Sequence, residues 1–195
     1  MQKYIKNPKL QNFFFVVQKK VVLLHPKKRR VRQMKNKGNS NDIQRALLDR
    51  ARRYCALAEQ CEDAVRQKLV TWGASPSDSD VIVAALQGEG YLDNERYAKA
   101  FCENKILTQH WGRQKVLYQL RLKHLPREVV ERGMAAVGNE AYMAVLAEVA
   151  EKKRQELEQK TDDPFVLHQK LTAALVNKGF TLPEINQVIS KNTES

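Results

Sequence analysis

Basic side chains and one tryptophan are the residues of this chain best suited to chemistry, and that chemistry is binding. Arginine pairs bidentately with carboxylates and phosphates, and lysine meets the same anions as a point charge. The candidate contact residues are Arg96, Trp111, Arg113, Lys115, Arg121, Lys123, Lys152, Lys153 and Arg154. The part of the chain that holds Arg96, Arg113, Lys115, Arg121 and Lys123, with Trp111 nearby, is favoured, because a basic cluster and an aromatic side chain coincide there. For any single residue the alternative is an ordinary solvated surface charge.

Catalytic and metal chemistry is not indicated by the sequence. It contains neither a GxxxxGK(S/T) phosphate loop nor a GxGxxG dinucleotide motif. The histidines lack metal-ligand spacing with Cys, Asp or Glu; they are His25, His110, His124 and His168. The pair Asp162-Asp163 is more typical of a helix N-cap than of a metal site. We therefore expect a protein that is not an enzyme and that uses no cofactor and no metal.

The formal charge of +12 resides at the N-terminus. Residues 1–41 hold twelve Lys or Arg and no acid, which leaves 22 basic and 22 acidic residues in the rest of the chain. We expect a basic, disordered extension over 1–40 and a folded, neutral body over 41–195. The extension has two other interpretations: a nucleic-acid-binding arm, or translated upstream sequence with Met34 as the true start. A neutral body is weak support for general nucleic-acid binding.

The cysteines and the hydropathy pattern indicate a cytoplasmic protein. Cys55, Cys61 and Cys102 are odd in number and lack CxxC spacing, so they are expected to be small core residues in a reducing compartment. No apolar run approaches the roughly 20 residues of a membrane-spanning helix. We therefore expect no membrane association.

A short pattern occurs three times and predicts the architecture. A leucine, three residues, a Gly or His and a new apolar run recur at Leu69–Gly73, Leu120–His124 and Leu175–Gly179, with the leucines 51 and 55 residues apart. Each copy is typical of a helix end, its cap and the start of another helix. A period near 50 residues indicates a modular helical array, which acts by presenting a surface to a partner.

Nine helices are predicted, in three groups that begin near Asp42, Asp93 and Glu140. The repeats span about 42–92, 93–139 and 140–195, and N-cap residues precede several helices. The fold class is therefore all-α: three tandem three-helix repeats forming an elongated, curved array. Residues at helical spacing are expected in the core; they are Leu69, Tyr97, Phe101, Val116, Leu120, Leu175 and Ile185.

Three segments resemble the RecX family. Gly90–Ala98, with Phe101 a turn later, resembles the family segment G-L-I/L-D/N-D/N-x-R/K-F/Y-A. Gly112-Arg113, followed by Val116, Leu120, Lys123 and His124, resembles G-x-x-x-I/V-x-x-x-L-x-x-K/R-G. Lys178-Gly179-Phe180 resembles the C-terminal R/K-G-F. The resemblance covers about Asp42 to the C-terminus. It departs at His124, where the family usually has glycine, and in the basic extension, which has no family counterpart.

The resemblance implies a specific function. RecX proteins are bacterial modulators of the recombinase RecA and are built of three tandem three-helix repeats. They bind in the groove of the RecA–single-stranded DNA filament, can also touch DNA, and inhibit strand exchange, ATP hydrolysis and co-protease activity. We therefore expect a monomeric regulator in DNA repair, recombination and the SOS response, with the RecA filament as partner and single- or double-stranded DNA as a candidate second partner.

Two alternatives stay open. The helix pairs could instead form a DNA-binding module of the helix-turn-helix type, or the repeats could be a scaffold for an unrelated partner. The zero net charge of the body favours the filament regulator over the DNA-binding module.

Removal of residues 1–33 is expected to leave the helix content and thermal midpoint of the body nearly unchanged. The reason is the absence of a helical period before the charge discontinuity at Asp42. Circular dichroism of the truncated and full chains measures both quantities. A large loss of cooperative unfolding in the truncated protein would contradict the assignment.

Overall fold

The computed structural model describes residues 40–191, and these form nine helices in three sets of three. They are α1 (Ser40–Leu57), α2 (Glu62–Thr71), α3 (Pro76–Gly88), α4 (Asn94–Glu103), α5 (Arg113–Arg121), α6 (Arg127–Ala135), α7 (Asn139–Glu158), α8 (Pro164–Lys178) and α9 (Leu182–Lys191). A π-helical turn, Asn104–Thr108, extends α4. The described residues contain no strand. The all-α class is confirmed; the elongated, curved arrangement stays a prediction, and the basic extension lies outside the described residues.

Side-chain caps start three of the helices, as their sequences predict. Ser75, Asp93 and Asp163 each accept hydrogen bonds from backbone N–H groups of the following turn, at donor–acceptor distances between 2.8 and 3.3 Å. Such caps satisfy N–H groups that have no partner within the helix. At the start of α9, the Thr181 backbone N–H donates to the Glu184 carboxylate at 2.8 Å, which is one of the two hydrogen bonds of a capping box.

The turns that end α2, α5 and α8 share a left-handed residue. The φ angles are 89° at Gly73, 53° at His124 and 96° at Gly179, the three positions of the repeated sequence pattern. His124 therefore adopts a glycine-like conformation, which costs an L-residue about 1–2 kcal/mol. Pro126 is the N-cap of α6, which begins at Arg127.

The apolar residues form two separate cores. Repeat 1 (α1–α3) buries Leu47, Ala51, Cys55, Val65, Leu69, Ile82, Val83, Leu86 and Leu92 in a core of its own. Repeat 2 (α4–α6) and repeat 3 (α7–α9) share a single larger core, which includes Ile106, Val116, Leu120, Tyr142, Leu146, Leu175, Phe180 and Ile185. Repeats 2 and 3 are therefore one packing unit.

The predicted core residues are buried or packed against the core. Leu69, Val116, Leu120, Leu175 and Ile185 are fully buried. The aromatic side chains of Tyr97 and Phe101 pack against the shared core while staying partly exposed.

Ile43 and Val81 are two apolar residues of repeat 1 that do not face the core. Ile43 is 52% and Val81 55% exposed. Both lie in the first half of their helices, α1 and α3, while Leu47, Ala51, Ile82 and Val83 face the core. Ile43 precedes the first buried residue of α1 by one turn, so the buried stripe of that helix starts later than its sequence indicates.

Two glycines join repeat 2 to repeat 3 through direct backbone contact. The Gly112 N–H donates to the Lys178 carbonyl at 2.9 Å, and the Gln114 N–H donates to the Gly179 carbonyl at 3.1 Å. A Cβ atom at Gly112 would overlap the carbonyl group of Gly179 and the nitrogen of Phe180. Only glycine fits there, because the two backbones approach too closely for any side chain. We call this contact the glycine joint.

A polar network lies beside the glycine joint. The Arg113 backbone N–H donates to the Tyr142 hydroxyl at 3.2 Å, and that hydroxyl donates to the Glu184 carboxylate at 3.1 Å. The Arg113 guanidinium lies 3.9 Å from the centre of the Tyr142 ring and donates to Asn139 at 3.1 Å. Burial raises the pKa of Tyr142 to about 12, so the hydroxyl keeps its proton and can donate. The side chain of Arg113 therefore faces repeat 3.

Gly112→Ala is expected to destabilise the protein by about 3 kcal/mol or more, since the added methyl group has nowhere to go without separating α5 from the end of α8. The matched control is Gly88→Ala at the end of α3, where a Cβ meets no atom within 4 Å. It should be neutral or stabilising by up to about 1 kcal/mol. Chemical denaturation measures both variants, and equal midpoints for the two would contradict the glycine joint.

Arg113→Ala is expected to destabilise the protein by about 1–2 kcal/mol, because it removes a ring contact and a hydrogen bond to repeat 3. Arg121→Ala on the same helix should change stability by less than about 0.5 kcal/mol, since that side chain is exposed and has no polar partner among the described residues. Denaturant midpoints of the two variants check this. A larger loss for Arg121→Ala would mean that the two arginines have been assigned to the wrong surfaces.

Candidate partner-binding surface

Arg96, the first predicted contact residue, ties repeat 1 to repeat 2. Its Nε donates to Glu59 at 2.6 Å, and its terminal nitrogen Nη2 donates to the Gly90 carbonyl at 3.0 Å. Beside it, the Glu62 backbone N–H donates to the Asn94 side chain at 3.0 Å. These bonds occupy the guanidinium within the chain, and contact of Arg96 with a partner stays a prediction.

The predicted run on α7 is Lys152, Lys153 and Arg154, and the last two of these form ion pairs within the chain. Lys153 pairs with Glu156 at 2.8 Å, and Arg154 pairs with Glu151 at 2.9 Å and Glu158 at 2.6 Å. Lys152 is exposed and has no ion pair in the described part of the chain. Of this run, Lys152 is the residue best placed to meet a partner.

The basic residues of α5 and its flanks are divided between the two ends of the helix. Arg113 packs on Tyr142 at the start of the helix. Arg121 is about 12 Å further along the axis, at 1.5 Å per residue. Lys123 follows the helix and lines a separate cavity of about 230 Å³ together with Glu62 and Asp63 of α2. The structure therefore does not bring Arg121 and Lys123 together with Trp111.

Trp111 is held between two lysines. The Nζ atoms of Lys105 and Lys115 lie 4.7 and 4.2 Å from the centre of its ring. The Trp111 backbone N–H also donates to the Lys105 carbonyl at 2.9 Å, which fixes the π-helical turn against the start of α5. Ammonium groups at these distances are attracted to the face of an indole ring.

A third lysine joins this group across the glycine joint. Burial lowers the pKa of Lys115, and the charges of Lys178 and Lys105 lower it further. Among residues 40–191, none of the three lysines is paired with a carboxylate. We refer to Lys105, Trp111, Lys115 and Lys178 as the lysine–tryptophan cluster.

A groove of about 390 Å³ continues from the cluster along α7 and α8. It is lined by His110, Glu148, Val149, Lys152, Lys153, Glu156, Ala174, Leu175 and Lys178. Glu156 is held by Lys153 and Lys160, which lower the pKa of its carboxyl to about 2. The groove therefore brings Lys152 of the predicted α7 run close to the end of the cluster at Lys178.

Sequence reasoning did not select Lys105, His110 and Lys178 as contact residues. Lys178 stands directly before Gly179, and Trp111 directly before Gly112. These two residue pairs indicate that Lys178 lies near Trp111 only when the contact between Gly112 and Gly179 is known, and the sequence does not show that contact. His110 also adopts a left-handed conformation, with φ of 55°, which the sequence did not indicate.

The geometry of this surface suits the binding of anions. Two ammonium groups without a carboxylate partner among the described residues lie over one tryptophan ring, the charge of Lys178 acts on one of them, and a groove with a fourth lysine adjoins them. In the part of the chain that the structure covers, no group of three or more His, Cys, Asp or Glu residues could hold a metal ion. None of the described helices is long and apolar enough to cross a membrane.

Known proteins are similar to this chain in sequence and in fold. The family model for the second three-helix domain of RecX matches residues 93–134, and that for the third matches residues 140–189. The regulatory protein RecX of Clostridium beijerinckii is 27% identical over 130 residues, which cover 67% of this chain and 60% of the relative. That of Prosthecochloris aestuarii is 26% identical over 152 residues, 78% of this chain and 97% of the relative.

Solved structures agree with the sequence comparisons. A crystal structure of RecX from Lactobacillus salivarius gives a TM-score of 0.70 at 17% identity, over 77% of this chain and 97% of that one. A second crystal structure, of regulatory protein RecX, gives 0.69 at 19% identity, over 77% and 73% of the two chains. These likenesses show the fold, and the chain spans about 60% of the length of the clostridial relatives. With two consecutive RecX domain models matched in order, this chain is similar to the RecX family over residues 93–189.

Proposed function

We propose that this protein binds the RecA–single-stranded DNA filament and inhibits its strand exchange, ATPase and co-protease activities. The observation that carries the proposal is the pair of matched RecX domains, 93–134 and 140–189, which here share one core. The relatives bear the name of a regulatory protein, and the activity proposed here is regulatory rather than catalytic. The protein acts as a monomer in the cytoplasm, in DNA repair, recombination and the SOS response.

The shared core supports binding to an extended partner. Repeats 2 and 3 are joined by backbone hydrogen bonds and by the Arg113–Tyr142–Glu184 network, so their exposed faces have a fixed relation. A fixed surface loses little conformational entropy on binding. Contacts distributed over two repeats can then supply the area that a specific interface needs, although the net charge of the body is zero.

The alternative function, a DNA-binding helix-turn-helix module, has a specific structural candidate. Helices α5 and α6 are joined by the tight turn at His124 and could present a recognition helix. However, Arg113 at the start of α5 packs against repeat 3. The filament regulator is therefore the better supported of the two functions.

RecA ATPase activity on single-stranded DNA, measured with increasing amounts of this protein, tests the proposal. DNA is kept in excess, so that competition for DNA cannot imitate inhibition of the filament. We expect the hydrolysis rate to fall at amounts below one copy per RecA monomer. An unchanged rate with correctly folded protein would defeat the proposal and leave the DNA-binding module ahead.

Substitution of Lys115, Arg121 and Lys123 together by Ala is expected to relieve inhibition more than substitution of Lys152, Lys153 and Arg154. In the second set, Lys153 and Arg154 already form ion pairs with neighbouring carboxylates. Arg113 is left intact because its loss would destabilise the junction of repeats 2 and 3. Circular dichroism of each variant is the control for folding, and greater relief from the α7 set would place the contact surface on α7.

A further inference from the structure

We propose that the lysine–tryptophan cluster is a binding site for closely spaced phosphate groups. Either a free oligophosphate, as in a nucleoside triphosphate, or successive phosphates of a single-stranded nucleic acid can supply that chemistry. The inference goes beyond the proposed function, because it concerns a ligand of this chain alone and requires no RecA.

The lysines of the cluster lie close to one another without a carboxylate partner. Most lysines in the described part of the chain are likewise unpaired, Lys153 and Lys160 being the exceptions, so the distinguishing feature of the cluster is the proximity of its charges. In the cluster, Lys105, Lys115 and Lys178 come close enough for the two others to affect the ionisation of Lys115. Like charges held together without a counter-charge are unfavourable, and a bound anion would offset that cost.

Backbone hydrogen bonds hold the segments that carry these lysines in place. Trp111 is bonded to the Lys105 carbonyl, and Gly112 to the Lys178 carbonyl, each at 2.9 Å. The Cβ of Lys115 lies directly against Gly179, where any added side chain would collide with it. The lysines are therefore positioned by the glycine joint before a ligand arrives, which reduces the entropy lost on binding.

The side-chain types of the cluster favour phosphate over carboxylate as the bound anion. The cluster contains lysines and no arginine, so it offers point charges rather than the planar fork that matches a single carboxylate. Two ammonium groups over one ring, with a third lysine close enough to act on one of them, suit a ligand with several negative charges in a small volume, which a row of phosphates provides. The indole N–H of Trp111 has no hydrogen-bond partner among the described residues and adds a fourth donor.

The adjoining groove extends the site in one direction. Lys178 belongs to both the cluster and the groove, and Lys152 stands on the groove wall. Of the two carboxylates that line the groove, Glu156 is paired with Lys153 and Lys160, while Glu148 has no ion pair among the described residues. Successive phosphates that run from the cluster toward Lys152 therefore pass one unpaired carboxylate, whereas a single phosphate would occupy the cluster alone.

Fluorescence of Trp111 tests the site in the full chain. The sequence has two tryptophans, so Trp72→Phe leaves Trp111 as the sole emitter. Titration with tripolyphosphate and with a short oligodeoxythymidylate should each give a saturable change, because a bound anion draws the ammonium groups away from the ring. Poly-glutamate, a carboxylate polymer, is the comparison ligand and should bind at least about tenfold more weakly.

Lys178→Ala in the same background should weaken binding about tenfold, and the salt dependence of oligonucleotide binding should fall by about 0.7 in log–log slope. The matched control is Lys170→Ala, an exposed lysine on the same helix without an ion pair in the described region, which should bind like the parent. This contrast also separates the cluster from the basic N-terminal segment, which is identical in all variants.

The outcomes are distinct. Binding of tripolyphosphate alone identifies a free oligophosphate as the ligand, and binding of the oligonucleotide, with or without tripolyphosphate, extends the site to nucleic acid; each supports the proposal. Poly-glutamate binding as tightly as tripolyphosphate would overturn it in favour of an acidic protein partner. No saturable change, or equal affinities for Lys178→Ala and Lys170→Ala, would also overturn it. None of these results bears on RecA inhibition, which is measured separately.

Discussion

The contact between Gly112 and Gly179 is the constraint on which the arrangement of repeats 2 and 3 depends. With no Cβ on either residue, the start of α5 and the end of α8 meet backbone to backbone, and two N–H groups of the α5 side donate to carbonyls of the α8 side. This approach lets Val116 and Leu120 of α5 enter the same core as Tyr142 and Leu175. Because Lys178 precedes one glycine and Lys115 follows the other, the same contact also sets the positions of the two lysines.

The lysines therefore have an energetic cost that follows from the architecture. Burial and the neighbouring charges lower the pKa of Lys115 in the folded state, so the unfolded chain binds its proton more tightly. The penalty from this group is therefore fully present below the folded pKa, and it is relieved as pH rises from the folded pKa toward the pKa of the unfolded chain. The paired carboxyl of Glu156 behaves in the opposite way: its pKa of about 2 gives a contribution that is present at neutral pH and lost in acid.

Local features of the fold could be predicted from the sequence, whereas the site could be predicted only in part. Caps at Ser75, Asp93 and Asp163 depend on neighbours within three residues, and the sequence shows them directly. Helical stripes likewise identified Leu120 and Leu175. The inward position of Arg113 depends on Tyr142, 29 residues away, and the proximity of Lys115 to Lys178 depends on a backbone contact between different repeats. No periodicity within one helix carries that information.

The two junctions between repeats differ in their chemistry, and this difference has consequences for stability. Repeats 2 and 3 share buried apolar residues, while repeat 1 keeps its own core and meets repeat 2 through polar bonds that include Arg96–Glu59 and through Tyr97, which lies against the buried Cys61. Exposed ion pairs contribute only about 0–1 kcal/mol, far less than a shared core. The junction of repeats 2 and 3 is therefore the more strongly stabilised of the two, and the lysine–tryptophan cluster lies beside it, at the glycine joint.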